Sequence, residues 1–200
     1  LGRTEYAKVT NDEKGFDLGE LIKKSFDNIY YVLGDEGSYY ITAPMGGVIG
    51  LMMQQQMKDS NIECKHCLIW VKDSPVFSMG RLDYDYQHEP IFFGWKNKHN
   101  RYAAGKYNTS VWQIPRPKKS PLHPTMKPVE LVENCILNSS KKNDNVIDLF
   151  GGSGTTLIAA AKHERNSFIM ETDPIYHTII INRYKEWAET NNIEYSINIV

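Results

Sequence analysis

Apolar positions along the first half of the chain recur at two spacings. Leu18, Leu21, Ile22, Phe26, Ile29, Tyr30 and Leu33 fall on one face of a helix expected over residues 16–33, which Gly34 can end. Residues 1–15 are polar, lack a period and read as a lead-in loop. After a turn at 35–37, the segment SYYITA at 38–43 is rich in strand formers and is stopped by Pro44. Residues 45–50 read as a loop and 51–59 as a helix, with Met52, Met53 and Met57 as core filler. Strands are expected over 63–72, centred on Leu68, Ile69, Trp70 and Val71, and over 90–95.

The second half continues the alternation. A helix over 128–139 offers Val129, Leu131, Val132, Cys135, Ile136 and Leu137 for packing. A short apolar strand at 146–150 precedes a helix at 155–162, then a strand at 167–170, a helix at 174–187 and a closing strand at 194–200. This alternation is α/β architecture. No internal repeat or linker interrupts it, so 1–200 is expected to form a single domain.

The junction between the strand at 146–150 and the following helix carries the clearest chemistry. In NVIDLFGGSGTT, Gly151, Gly152 and Gly154 allow close approach of backbone to a ligand, and the first turn of the helix offers free N–H groups to an anion. Asp148 lies inside an apolar strand and is costly to bury unless hydrogen-bonded. Glu171 ends the next strand at a spacing that suits a carboxylate gripping ribose hydroxyls. A tight turn without a ligand and a dinucleotide site are the rival readings, although the spacing is not G-x-G-x-x-G.

Upstream of this turn stands HPTMKPVEL at 123–131, and downstream METDPIY at 170–176. Together with DLFGGSGTT, these segments resemble the amino-methylating DNA methyltransferases. The order is similar to their permuted β class, in which the cofactor half follows the catalytic half, and the phage and prophage DNA modification methylases look most alike. The resemblance covers roughly 16–187. It implies a Rossmann-like S-adenosylmethionine-dependent methyltransferase fold with a mixed, mostly parallel sheet and one reversed strand. It also implies methyl transfer from S-adenosylmethionine to adenine N6, with cytosine N4 as the alternative. The cofactor would lie with its ribose on Glu171, its sulfonium region against Phe150, and its methionine end near Thr125, Thr155 and Thr156. Lys127, Asp148, Gly151, Gly152, Ser153, Gly154 and Asp173 complete the expected cofactor site.

For the DNA partner, the same resemblance places Tyr86, His88 and Glu89, downstream of Arg81 and Tyr84, at the face receiving an extruded base. Lys96, Lys98, Arg101, Lys106, Arg116, Lys118 and Lys119 follow with no acid from 96 to 119, and Tyr102, Tyr107 and Trp112 are interleaved. A basic stripe with aromatics suits phosphate contact and base stacking, and in position it matches a short target-recognition insert at 96–122. A solvated charged face is the plainer reading. The net charge of −1 does not announce this stripe, because acids concentrate near the N-terminus.

The family's catalytic tetrapeptide, Asp/Asn/Ser-Pro-Pro-aromatic, does not occur. Asp173-Pro174-Ile175-Tyr176 imitates it without the second proline, at a position belonging to the cofactor site. In the β order, the motif is expected upstream of Leu1. The chain, which opens on leucine, is therefore expected to be part of a longer polypeptide and inactive alone; a noncatalytic DNA- or cofactor-binding remnant is the rival.

Composition changes little: 41% hydrophobic and 24% charged residues are ordinary for a globular protein. The absence of a long apolar run argues against a membrane partner. Three cysteines suit a cytoplasmic location, and Cys64-Lys65-His66-Cys67 reads as strand rather than a metal site. Double-stranded DNA is the expected partner, with a homodimer left open.

Overall fold

The computed structural model describes residues 18–44, 46–76, 83–103, 109–117 and 126–199. The chain gathers into two compact units, one drawn from Glu13–Arg116 with Leu137–Lys141, the other mainly from Pro117–Ile136 and Lys142–Val200.

The first unit holds α1 (Leu18–Val32), β1 (Ser38–Thr42), α2 (Gly47–Asp59), β2 (His66–Val71), β3 (His88–Trp95) and β4 (Val111–Gln113). Its sheet order is β1-β3-β2-β4. β3 runs antiparallel to both β1 and β2, while β4 runs parallel to β2, so three strands share a direction and β3 is reversed. Ile22 and Phe26 of α1, Tyr39 and Ile41 of β1, and Phe92 of β3 bury one face together with Met57. Met52 and Met53 pack against that core, as expected of flexible apolar filler.

α2 starts at Gly47, inside the segment read as a loop. Glycines at 46, 47 and 50 lower helix propensity, and Val48 (83% exposed) and Leu51 (69%) show no buried period there. β4 also escaped the sequence, because three residues are too few to show an alternation.

The second unit holds most of α3 (Val129–Ser139) with β5 (Asn145–Asp148), α4 (Thr155–Lys162), β6 (Asn166–Ile169) and α5 (Pro174–Thr190). β5 and β6 pair in parallel, in register from Asn145↔Asn166 to Asp148↔Ile169. Ile136 of α3 and Ala159 and Ala160 of α4 form its core, with Val146 packed on them.

The closing strand expected at 194–200 is not formed: residues 194–199 carry no regular structure, and Val200 lies outside the described residues. Instead, the Ile193 N–H donates to the Ala188 carbonyl, and the Tyr195 ring meets Tyr184 edge-on at 5.5 Å. Strand propensity without a ladder partner yielded to packing on the end of α5. No described helix is long and apolar enough to cross a membrane.

On one face of the first sheet, Phe93 stacks on Tyr40 at 4.6 Å, and Trp95 stacks on His99 at 5.0 Å. Burial, with the neighbouring His66 and Arg101 charges, pushes the His99 imidazole below its ordinary value of 6.5. The unfolded chain then binds a proton more readily than the folded one. His99 should therefore add stability above pH 6.5 and lose it as pH falls from there toward its folded value. Melting midpoints measured across this range should fall less steeply in His99→Gln than in wild type.

Candidate functional site

The glycine turn is held from three sides. From β5, the Asp148 carboxylate accepts from the Phe150 N–H at 3.0 Å and from the Thr156 hydroxyl at 2.6 Å. The acid that seemed costly inside an apolar strand thus ties the strand end to the first turn of α4. From the end of β6, Glu171 accepts from the Gly152 N–H at 2.8 Å, and its other oxygen accepts from the Thr172 and Asp173 N–H groups.

The third support comes from α5. Arg183 donates to the Ser153 carbonyl at 2.8 Å and to the hydroxyls of Ser153 and Thr155 at 3.2 Å. Burial pushes its guanidinium below the ordinary arginine value. Sequence reasoning missed Arg183, which lies 30 residues from Ser153 in the middle of a helix. No local signal marks it.

Sterics explain two of the glycines. A Cβ on Gly151 would sit 2.4 Å from Ile169 Cγ2 and 3.1 Å from the Met170 carbonyl, so β6 packs directly on its backbone. Gly154 has φ +78°, a left-handed conformation that side-chain-bearing residues rarely adopt. Phe150 emerges from this turn 59% exposed, an aromatic face left in solvent beside backbone donors. An exposed ring, a carboxylate with accepting capacity and a helix start are a donor and acceptor set that fits a nucleoside-bearing cofactor. Lys127 is half-buried, and its carbonyl accepts from the Thr155 hydroxyl at 3.3 Å.

The imitation tetrapeptide has a different use. Asp173 caps α5, its carboxylate accepting from the Ile175 N–H at 2.8 Å with Pro174 in the first turn. Tyr176 is 5% exposed, so its ring is committed to packing.

Of the residues expected at DNA, Tyr86 is 61% exposed and meets His88 edge-on at 6.1 Å. Glu89 forms an ion pair with Lys72 at 2.8 Å. The basic stripe divides by role. Lys96 donates to the carbonyls of Tyr30 and Leu33 at 2.9 and 3.0 Å, capping the end of α1, and lies over the Tyr30 ring. Lys98 pairs with Glu36. Arg116 donates from its backbone to Asp73 and from its guanidinium to Ser74, both at 3.1 Å. Arg81, Lys106, Tyr107, Lys118, Lys119 and Thr125 lie outside the described residues. Among the described residues, no cluster of three histidine, cysteine or acidic side chains could hold a metal.

Residues 10–182 match the N6/N4 methyltransferase family, described as DNA methylase, and the chain belongs to that family. Type II methyltransferase M2.MboI of Moraxella bovis is 27% identical over 171 residues, covering 78% of this chain and 61% of that protein. Type II methyltransferase M.BglI of Bacillus subtilis is 33% identical over 169 residues, covering 74% of this chain and 49% of that one. The chain spans less than two thirds of the length of M2.MboI, M2.LlaDCHI and M2.DpnII. Among solved structures, the M1.HpyAVI–SAM complex superposes with a TM-score of 0.66 at 25% identity, covering 86% of this chain and 84% of that one. The cytosine-N4-specific PvuII DNA methyltransferase shares the fold, with a TM-score of 0.71 at 17% identity over 96% of this chain and 78% of its own.

Thr156→Val keeps the shape of the side chain and removes the donor to Asp148. Leaving that half-buried carboxylate short of a partner should cost about 1–2 kcal/mol of stability. Urea unfolding of the variant beside wild type measures it.

Proposed function

We propose that this protein is a site-specific DNA methyltransferase, transferring a methyl group from S-adenosylmethionine to an exocyclic base amine, adenine N6 in preference to cytosine N4. The observation that carries the reading is the Gly152–Glu171 hydrogen bond, which joins the glycine turn to the acidic strand end in a chain of this family. Glu171 takes the ribose, since of a carboxylate's about four lone-pair sites its three backbone donors leave one for a hydroxyl. Phe150 flanks the sulfonium region, and Thr125, Lys127, Thr155 and Thr156 line the methionine end, with Asp148 and Ser153 holding the turn and Asp173 the start of α5. When bound, the cofactor supplies an electrophilic methyl group for in-line displacement by the amine. This chain contributes orientation and an environment.

Tyr86, His88 and Glu89 receive the extruded base, at an unstacking cost of a few kcal/mol. The side chain that holds the amine in line is not DPIY, whose aspartate and tyrosine are used for capping and packing. The noncatalytic remnant therefore keeps its place as the second reading for the 200 residues alone.

Cofactor binding and transfer are separable. Calorimetry on the 200-residue chain should show saturable binding of S-adenosylmethionine that Glu171→Ala and Gly152→Val abolish; undiminished binding in both would sink the assignment. Tritiated methyl incorporation should be absent for this chain and present for a version extended to a DPPY-type segment. Mass spectrometry of the product nucleosides then separates N6-methyladenine from N4-methylcytosine.

Phosphate contact predicts a second behaviour. DNA affinity should fall steeply with salt, and alanine at Arg116, Lys118 and Lys119 should flatten the slope by about three in log–log terms, roughly one per charge removed. An unchanged slope in the triple variant would make the stripe a solvated face.

A further inference from the structure

Ile180 and Arg183, one turn apart on α5, face the glycine turn together. Ile180 packs so closely that a Cβ on Gly154 would sit 3.2 Å from its Cγ2. Nη1 of Arg183 donates to the Ser153 carbonyl at 2.8 Å and, at 3.2 Å each, to the Ser153 and Thr155 hydroxyls. Ser153 is 4% exposed and Thr155 7%. The Thr155 hydroxyl donates in turn to the Lys127 carbonyl at 3.3 Å. A continuous path therefore runs from α5 through the first residue of α4 to the segment just before α3.

Arg183 meets no acid among the described residues: its hydrogen bonds all end on uncharged oxygens. Burying a cation without a carboxylate costs free energy that a methionine in its place would not. Packing does not call for it, since Ile180 already seats α5 on the turn. What the guanidinium adds is direction. It can only donate, and a hydroxyl has one proton to give. With Arg183 donating to its oxygen, Thr155 turns that proton to the Lys127 carbonyl. Thr156 spends its own proton on Asp148 at 2.6 Å. Neither hydroxyl proton is left for a ligand, so a ligand reaching the first turn of α4 meets backbone N–H groups. The placement of that backbone follows from Arg183 on one side and Asp148 on the other.

We infer that Arg183 is a positioning residue for the amino-acid end of S-adenosylmethionine: by fixing Ser153 and the Thr155 hydroxyl, it sets the backbone that this end binds. The inference rests on the S-adenosylmethionine reading above. It adds a residue that governs one end of the cofactor and leaves the other to Glu171. Arg183 acts through Ser153 and Thr155, not on the cofactor.

The test compares two ligands by calorimetry on the 200-residue chain. S-Adenosylhomocysteine and 5′-methylthioadenosine share the adenosine and an uncharged sulfur, and only the first carries the amino-acid end. Wild type should bind S-adenosylhomocysteine about tenfold or more tightly than 5′-methylthioadenosine, the scale of a hydrogen bond to a charged group. Arg183→Met, similar in length and without donors, should remove most of that ratio while leaving affinity for 5′-methylthioadenosine unchanged. Arg183→Lys, which returns a cation with three donors, should restore part of it. Thr155→Val breaks the path at its middle and should lower the ratio as far as Arg183→Met does, with no further loss in the double variant. Because each ratio is taken within one preparation, a partly unfolded variant does not distort it, and Thr155→Val carries the test should Arg183→Met not fold. An unchanged ratio, equal weakening of both ligands, or additive losses in the double variant overturns the positioning role. Wild type that binds the two ligands alike overturns the inference while leaving the cofactor reading in place, whereas binding of neither, nor of S-adenosylmethionine, overturns both.

Discussion

The geometry at the turn depends on satisfying backbone groups that a glycine loop would otherwise leave without protein partners. Between Phe150 and Thr156 the chain changes from strand to helix in a few residues, with positive φ at both Gly152 and Gly154. Such a turn has no ladder of its own to hold it. Three charged side chains from three separate elements supply what is missing: Asp148 from within, Glu171 from the end of β6 and Arg183 from α5. The loop is thereby fixed by the protein's own contacts, so a ligand bound there would not have to order it.

The same contacts account for how much of this site is legible in the sequence. Asp148 and Glu171 stand out because each is an acid at the end of an apolar run, where burial without a partner is expensive. The helix at 155–162 is found with its observed bounds, since glycines and an alanine-rich run mark both its start and its body. Arg183 carries no such mark. A charged residue in an amphipathic helix looks like any solvated one, and only the packing of α5 against Gly151 and Gly154 turns it inward.

The fold was legible where apolar period and burial agree, as over α1 and β1. It failed where they part. The first turn of α2 exposes its apolar side chains, so a helix looked like a loop. Residues 194–199 have strand-like composition but sit on the end of a helix with no strand to pair with. β-propensity describes fitness for a pleated, half-buried surface, and no such surface is offered there.

Charge shows the same limit more sharply. In sequence, Lys96 and Lys98 belong to an uninterrupted basic stripe, yet one caps a helix and the other meets an acid from the turn before β1. The acid that pairs with Lys98 lies 62 residues upstream, which is why counting charges within the stripe overstates its potential. Lys72 makes the opposite case. In sequence it is one polar residue after an apolar strand, the ordinary place for a solvated lysine, but its ammonium is inside and its partner is the carboxylate on the neighbouring strand. A lysine at a strand end is thus a cap, a surface charge or a buried ion-pair partner according to where the nearest carbonyls and carboxylates fall. That is a property of sheet order: reversing β3 between β1 and β2 brings the Lys96 end of β3 to the end of α1 and the Glu89 end to Lys72.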